Sequence, residues 1–185
     1  MASLLSTRPG LGAPAPPLEL PTPDGQPRSI EEFRGRPVVV SFLGPANCQF
    51  CRAHLLRMVQ ARDRLAQLGA EVLLVAHQDP ELMMSQMLRD LALPFVLLVD
   101  PQRQAYARWG LGEATYRVFL VPSLYAAILK MVLRRPPSLG EAPESRQMGG
   151  DFVVDRTGRL AFVNRMRSLH DRAPVTDLLA AAERV

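Results

Sequence analysis

Short apolar runs recur along the chain at intervals that fit buried strands. Pro37 to Leu43 reads PVVVSFL, Ala70 to Ala76 reads AEVLLVA, and Phe95 to Val99 reads FVLLV. Runs this continuous suit strands covered on both faces of a largely parallel sheet. A different rhythm separates the first two. From Cys51 to Leu68 the apolar residues Leu55, Met58, Val59, Leu65 and Leu68 fall on one broad arc of a helix, with Arg62 inside that arc. Gly69 is placed to stop it. Pro80 to Leu91, with proline in the first turn, and Gln102 to Trp109 predict further helical segments. Near the end, Asp151 to Val154 and Leu160 to Asn164 flank the turn Asp155-Arg156-Thr157-Gly158 and predict a hairpin. Val175 to Arg184 predicts a closing amphipathic helix.

The remaining segments punctuate this core. Residues 1–17 carry Pro9, Pro14, Pro16 and Pro17 and predict an extended lead. Leu18 to Leu20 predicts a short edge strand, and Ser29-Ile30-Glu31-Glu32 a capping box opening one helical turn. Thr115 to Leu133 predicts a helix broken at Pro122, and Arg134 to Met148 a loop. The apolar part, 118–133, fits either a core helix or an exposed face that serves a homodimer partner or forms a substrate groove. The whole is an α/β chain: one domain over 18–185, with an insertion at about 112–147 ahead of the hairpin and last helix.

Chemistry concentrates at Cys48-Gln49-Phe50-Cys51, which holds the only two cysteines in 185 residues. A strand runs into this motif and a helix leaves it. Two thiols three residues apart on a first helical turn can close a disulfide with little backbone movement. The helix N-terminus carries about half a unit of positive charge, which favours thiolate. In such places a thiol pKa falls from near 8.5 to roughly 3.5–7.5. One thiolate can then attack a substrate and the other cysteine resolve the product. By thiol–disulfide logic Cys48 attacks and Cys51 resolves; the reverse order is the alternative. His54, one turn beyond Cys51, is placed either as a supporting base or as a surface residue. His77 reads as a turn residue just past a strand end, Asp151 and Asp155 as turn residues, and Trp109 as packing.

Other chemistries find less support. Two cysteines are too few for a disulfide-stapled scaffold. Zinc needs four ligands, and only His54, His77 and His170 supplement the pair, so no metal or other cofactor is expected. The net charge of +4 comes from scattered arginines, Lys130 being the only lysine, so nucleic acid is not an expected partner. Met1 to Pro9 shows no signal-peptide pattern, and no apolar stretch reaches about 18 residues for a membrane span. A cytoplasmic setting is expected, where a lone C-x-x-C reads as redox-active.

Three segments resemble the redoxin group that contains alkyl hydroperoxide reductases and thiol-specific antioxidants. They are GAPAPPLELPTPDG at 12–25, RGRPVVVSFLGPANCQFCRAHL at 34–55, and QMGGDFVVDRTGRLAFVNRMRS at 147–168. The resemblance implies a thioredoxin-like fold, a mixed central sheet flanked by helices. It also implies an oxidoreductase cycling a Cys48–Cys51 dithiol, with a peroxide or disulfide substrate and a thioredoxin- or glutathione-type electron donor. Reduction of peroxide through Cys51 is a variant of the same reading; a redox-sensing or partner-binding module without catalysis is the alternative of another class.

The chain departs from the group's pattern at three places. With Cys51 as the peroxide-reactive thiol, Cys48 and Gly44 occupy the usual threonine and proline positions. Gly149 stands where the group's arginine is expected. The Gly149-Gly150 pair would let a substrate's backbone approach the dithiol, and Arg146 is the nearby candidate for the missing cation.

Overall fold

The computed structural model describes residues 8–88, 90–115, 122, 125–126, 128–129, 133 and 145–185. Its centre is a five-stranded mixed sheet. The strands of the chain are β1 (Glu19–Pro21), β2 (Pro27–Ser29), β3 (Val38–Phe42), β4 (Glu71–Ala76), β5 (Val96–Val99), β6 (Gly150–Val154) and β7 (Leu160–Arg165). The sheet order is β5-β4-β3-β6-β7; β3, β4 and β5 run parallel, while β6 and β7 are antiparallel additions. β1 and β2 form a separate two-stranded ribbon. Ser29 and Glu32 make the expected capping box on a 3-10 turn over Ile30–Phe33.

The apolar runs sort cleanly to two faces because side chains alternate along a strand. Val39 and Leu43 point toward one core with Cys51, Leu55, Met58, Leu74, Val153 and Leu178. Val38, Val40 and Phe42 point toward the other with Tyr106, Trp109 and Phe152. Helices α1 (Gln49–Gln60), α2 (Arg62–Gln67) and α5 (Val175–Glu183) supply the first core, and α4 (Gln104–Arg108) the second. α3 (Pro80–Gln86) is capped by Asp79, which accepts from the amides of Glu81 and Leu82.

Several expectations need correction. The helix over 51–68 is two helices, broken at Ala61. The break turns Arg62 outward while Leu65 stays buried, which resolves the arginine that sat inside the apolar arc. The helix over 80–91 stops at Gln86, although Met87 and Leu88 remain in the core. The strand expected at Leu18 to Leu20 lies one residue later, as β1 of the β1–β2 ribbon, whose second strand was too short to read. The described part of the lead is extended and pinned: Gly12 and Ala15 donate to the carbonyls of Leu160 and Gly158, and Ala13 accepts from Leu160. The apolar segment at 118–133 lies outside the described residues except for isolated positions. No helix among the described residues is long and apolar enough to cross a membrane.

Candidate active site

β3 ends at Phe42, and six residues later Cys48 caps α1. Its Sγ accepts the backbone N–H of Cys51 at 3.3 Å, using the sulfur as a cap where serine or aspartate is commoner. Cys51, His54, Leu55 and Met58 follow at helical spacing and are all buried. Both thiols are free; Cys48 is half-buried and Cys51 fully buried.

The two sulfurs differ in acidity. Cys51 is drawn down to about 7, chiefly by a hydrogen bond from the Cys48 thiol, with help from the charge of Arg172 and the N–H of Gly44. Burial opposes this shift. Cys48 is pushed up by the same shared hydrogen bond and by its own burial. Gly44 fits this geometry, since a Cβ there would lie 3.0 Å from the Cys51 sulfur.

Beneath the dithiol lies a buried polar cluster that the sequence reading did not anticipate. Ser41 of β3 and Asp151 of β6 are direct cross-strand partners on the face covered by α1. Asp151 Oδ1 accepts from Ser41 Oγ at 2.8 Å and from Arg172 Nη2 at 2.5 Å. Its Oδ2 accepts from the amide of Ala173 at 3.1 Å. Arg172, in the loop leading to α5, also donates from Nη2 to Ser41 Oγ (2.6 Å) and from Nη1 to the Phe42 carbonyl (2.8 Å). Burial would raise the Asp151 carboxyl, but Arg172, His54 and Ser41 together hold it well below the usual carboxylate range. His54 Nε2 stands 3.2 Å from Asp151 Oδ1 but out of line for a full hydrogen bond. Burial lowers the His54 pKa despite this carboxylate.

Asp151 is therefore no turn residue. It lies inside a strand, fully buried, because Arg172 compensates its charge. His54 is interior rather than on the surface. Asp155 does serve its turn, accepting from the amides of Thr157 and Arg159. His77 is buried, with Nε2 2.9 Å from Ser145 Oγ. Trp109 is packing, stacked edge-on to Phe152.

The glycine pair does not open a path for substrate backbone. A Cβ at Gly149 would come closer to the Phe42 carbonyl oxygen than real Cβ atoms sit, and 2.7 Å from Arg172 Nη1. A Cβ at Gly150 would meet Leu111 at 2.7 Å and the Asn164 carbonyl at 2.8 Å. The protein itself fills both spaces. Arg146 is exposed, with its carbonyl accepting from Ala114, and the cation whose side chain is buried is Arg172 instead. Nothing local in His170-Asp171-Arg172-Ala173 marks that role. The available signal was the pair of polar residues, Ser41 and Asp151, interrupting two otherwise apolar strands. Among the described residues no three His, Cys, Asp or Glu side chains converge as a metal-binding set.

A thiol pair on a helix N-terminus, beyond the carboxyl end of the central strand β3, agrees with the match of residues 11–163 to the AhpC/TSA family model. The chain belongs to the AhpC/TSA family. It is 33% identical over 165 residues to Rv2521 of Mycobacterium tuberculosis, named as a peroxiredoxin, covering 86% of this chain and 96% of that one. Chloroplastic peroxiredoxin Q of Sedum lineare is 28% identical over 99 residues, which is 54% of this chain and 53% of the relative. The chain thus spans about half the length of the plant relatives it matches. The crystal structure of peroxidoxin BcpB from Mycobacterium tuberculosis superposes with a TM-score of 0.69 at 17% identity, covering 96% and 98% of the two chains. That likeness bears out the thioredoxin-like fold. The expected peroxiredoxin-like relationship is borne out by the family match.

Proposed function

We propose that the protein is a thiol-dependent peroxidase that cycles Cys48 and Cys51 between dithiol and disulfide. The observation that carries this reading is the division of labour between the sulfurs. The more acidic one, Cys51, is fully buried, and Cys48, half-buried at the helix cap, is the more exposed of the two. The Cys51 thiolate attacks the terminal oxygen of a hydroperoxide. The O–O bond breaks, the alcohol or water leaves with a proton, and Cys51 becomes a sulfenic acid. The Cys48 thiol then attacks that sulfur, water is released, and the disulfide closes. Two electrons and two protons from a dithiol reductant of the thioredoxin type restore the pair, entering at the more exposed Cys48 sulfur. A reducing, cytoplasmic setting belongs to this reading, since the cycle needs such a donor.

The partial exposure of Cys48, against the full burial of Cys51, favours a second reading, in which Cys48 attacks disulfide substrates directly and Cys51 resolves. Single substitutions separate the two. Under the peroxidase reading, Cys51→Ser abolishes peroxide consumption, while Cys48→Ser still consumes one equivalent and accumulates a sulfenic acid trapped by dimedone. Loss of peroxide consumption in Cys48→Ser but not in Cys51→Ser would refute it.

A further inference from the structure

The geometry points to a second binding site, apart from the dithiol, that takes a small organic carboxylate with a short apolar tail: a cavity lined by the cations Arg8 and Arg165 and by the apolar Met148 and Met166. The cavity encloses about 210 Å³, and Leu111 and Glu113 also line it. It lies at the end of the sheet where Phe42, Gly150 and Arg165 meet in register. Leu111 belongs to the core shared with α4, whereas both cysteines pack on the α1 face. Arg165 is fixed from three sides. Its Nε donates to the Trp109 carbonyl at 2.8 Å, its Nη2 to the Pro9 carbonyl at 2.7 Å, and its guanidinium stands 5.3 Å from the centre of the Phe152 ring. The bond to Pro9 clamps the lead and brings Arg8 alongside. Gly110, at a φ of +74°, adjoins both cations: a Cβ there would come within 2.8 Å of Arg8 Cγ and 3.0 Å of Arg165 Nε.

The carboxylates nearby are already committed. Glu113 pairs with Arg103 at 2.8 Å, and Asp171 pairs at 3.2 Å with Arg167, another residue of the lining. Among the described residues no carboxylate pairs with Arg8 or Arg165, and the two carbonyls use only two of the five N–H donors of Arg165. Burial and the charge of Arg8 both work against the Arg165 cation, so an anion bound against both guanidiniums relieves a repulsion that the fold imposes. Guanidinium forks take carboxylate and phosphate alike. The methionine wall decides between them. Met148 and Met166 are buried together, with Ala114 and Leu169 packed against them. A hydrocarbon tail gains from such a wall, and inorganic phosphate does not. A cavity of about 150 Å³ holds benzene, so this one suits a tail of about half a dozen carbons.

The test is calorimetric titration of the reduced protein with hexanoate, hexanol and inorganic phosphate. Hexanoate binds saturably, one per chain, and at least about tenfold more tightly than the other two, since hexanol lacks the charge and phosphate the tail. Arg165→Met and Arg8→Glu each weaken hexanoate by at least about tenfold. Arg165 also anchors the lead, whereas Arg8 is exposed, so Arg8→Glu decides the matter if Arg165→Met loses the fold. Arg167→Met removes a charge already paired with Asp171 and leaves hexanoate binding within about twofold of the native protein. No saturable binding of hexanoate, equal binding of hexanol or phosphate, or an unchanged affinity in Arg8→Glu would overturn the assignment. Binding needs neither cysteine nor peroxide, so the proposed peroxidase activity stands or falls separately.

Discussion

Gly149→Ala gives the sharpest structural test, since it adds one carbon at a point with no room for it. The new Cβ would press on the Phe42 carbonyl oxygen, on Arg172 Nη1 at 2.7 Å and on Met166 Sδ at 3.3 Å. Phe42 ends the central strand and cannot retreat without breaking its ladder with β4 and β6. The guanidinium must move instead, lengthening its bonds to Phe42 and to the Asp151 cluster. Overpacking alone costs about 1–3 kcal/mol. Fully unpairing a buried charge costs about 3–5 kcal/mol, and partial displacement a fraction of that. Against this, alanine lowers the entropy of the unfolded chain by about 0.4–1 kcal/mol. Strain wins, for a net loss of about 2–5 kcal/mol. For a chain of this length each kcal/mol lowers Tm by about 2–4 °C, so a fall of roughly 5–15 °C is expected by calorimetry of the reduced protein. The pH midpoint of iodoacetamide alkylation at Cys51 should shift as well. An unchanged Tm with an unchanged midpoint would refute the argument that Gly149 makes room for Arg172.

Other predictions follow from the same structure. Burial pushes His77 down to about 4, so below pH 6.5 the unfolded chain binds a proton that the folded chain refuses. Its contribution is complete above pH 6.5 and is lost as pH falls toward 4, up to about 3 kcal/mol; urea titrations should show a shallower acid slope in His77→Gln, and equal slopes would contradict this. Tyr106 shares its O–H between the carbonyls of Leu43 and Val75, each at 2.8 Å, just ahead of the dithiol loop. Tyr106→Phe should destabilise by about 1–3 kcal/mol in urea, and a loss below about 0.5 kcal/mol would show the bridge to be dispensable. Arg146→Ala should leave stability and Cys51 alkylation unchanged, as expected of an exposed side chain; a shifted midpoint would restore Arg146 as a cation of the site.

The strands of the sheet were legible because each is an uninterrupted apolar run, and the dithiol because both cysteines stand where a strand pattern meets a helical one. What escaped was tertiary. Pro27 to Ser29 is too short to announce a strand. The break at Ala61 shows in the sequence only as a misplaced Arg62, which becomes informative once the helix is seen to rotate. Ser41 and Asp151 look like flaws in buried strands until β3 and β6 are paired in register. Arg172 lies 121 residues after Cys51 in an unremarkable loop, and only the docking of α5 brings it under the site. The expectation that Gly149 and Gly150 would admit a substrate failed for the same reason: the group that needed the space came from elsewhere in the chain.

The most direct test of the central claim is to treat the reduced protein with one equivalent of hydroperoxide under anaerobic conditions and measure the intact mass. The account predicts full consumption of the peroxide, loss of two hydrogens from the protein, and a peptide containing a Cys48–Cys51 disulfide that a dithiol reductant reopens. Unreacted peroxide with both thiols still free would contradict it.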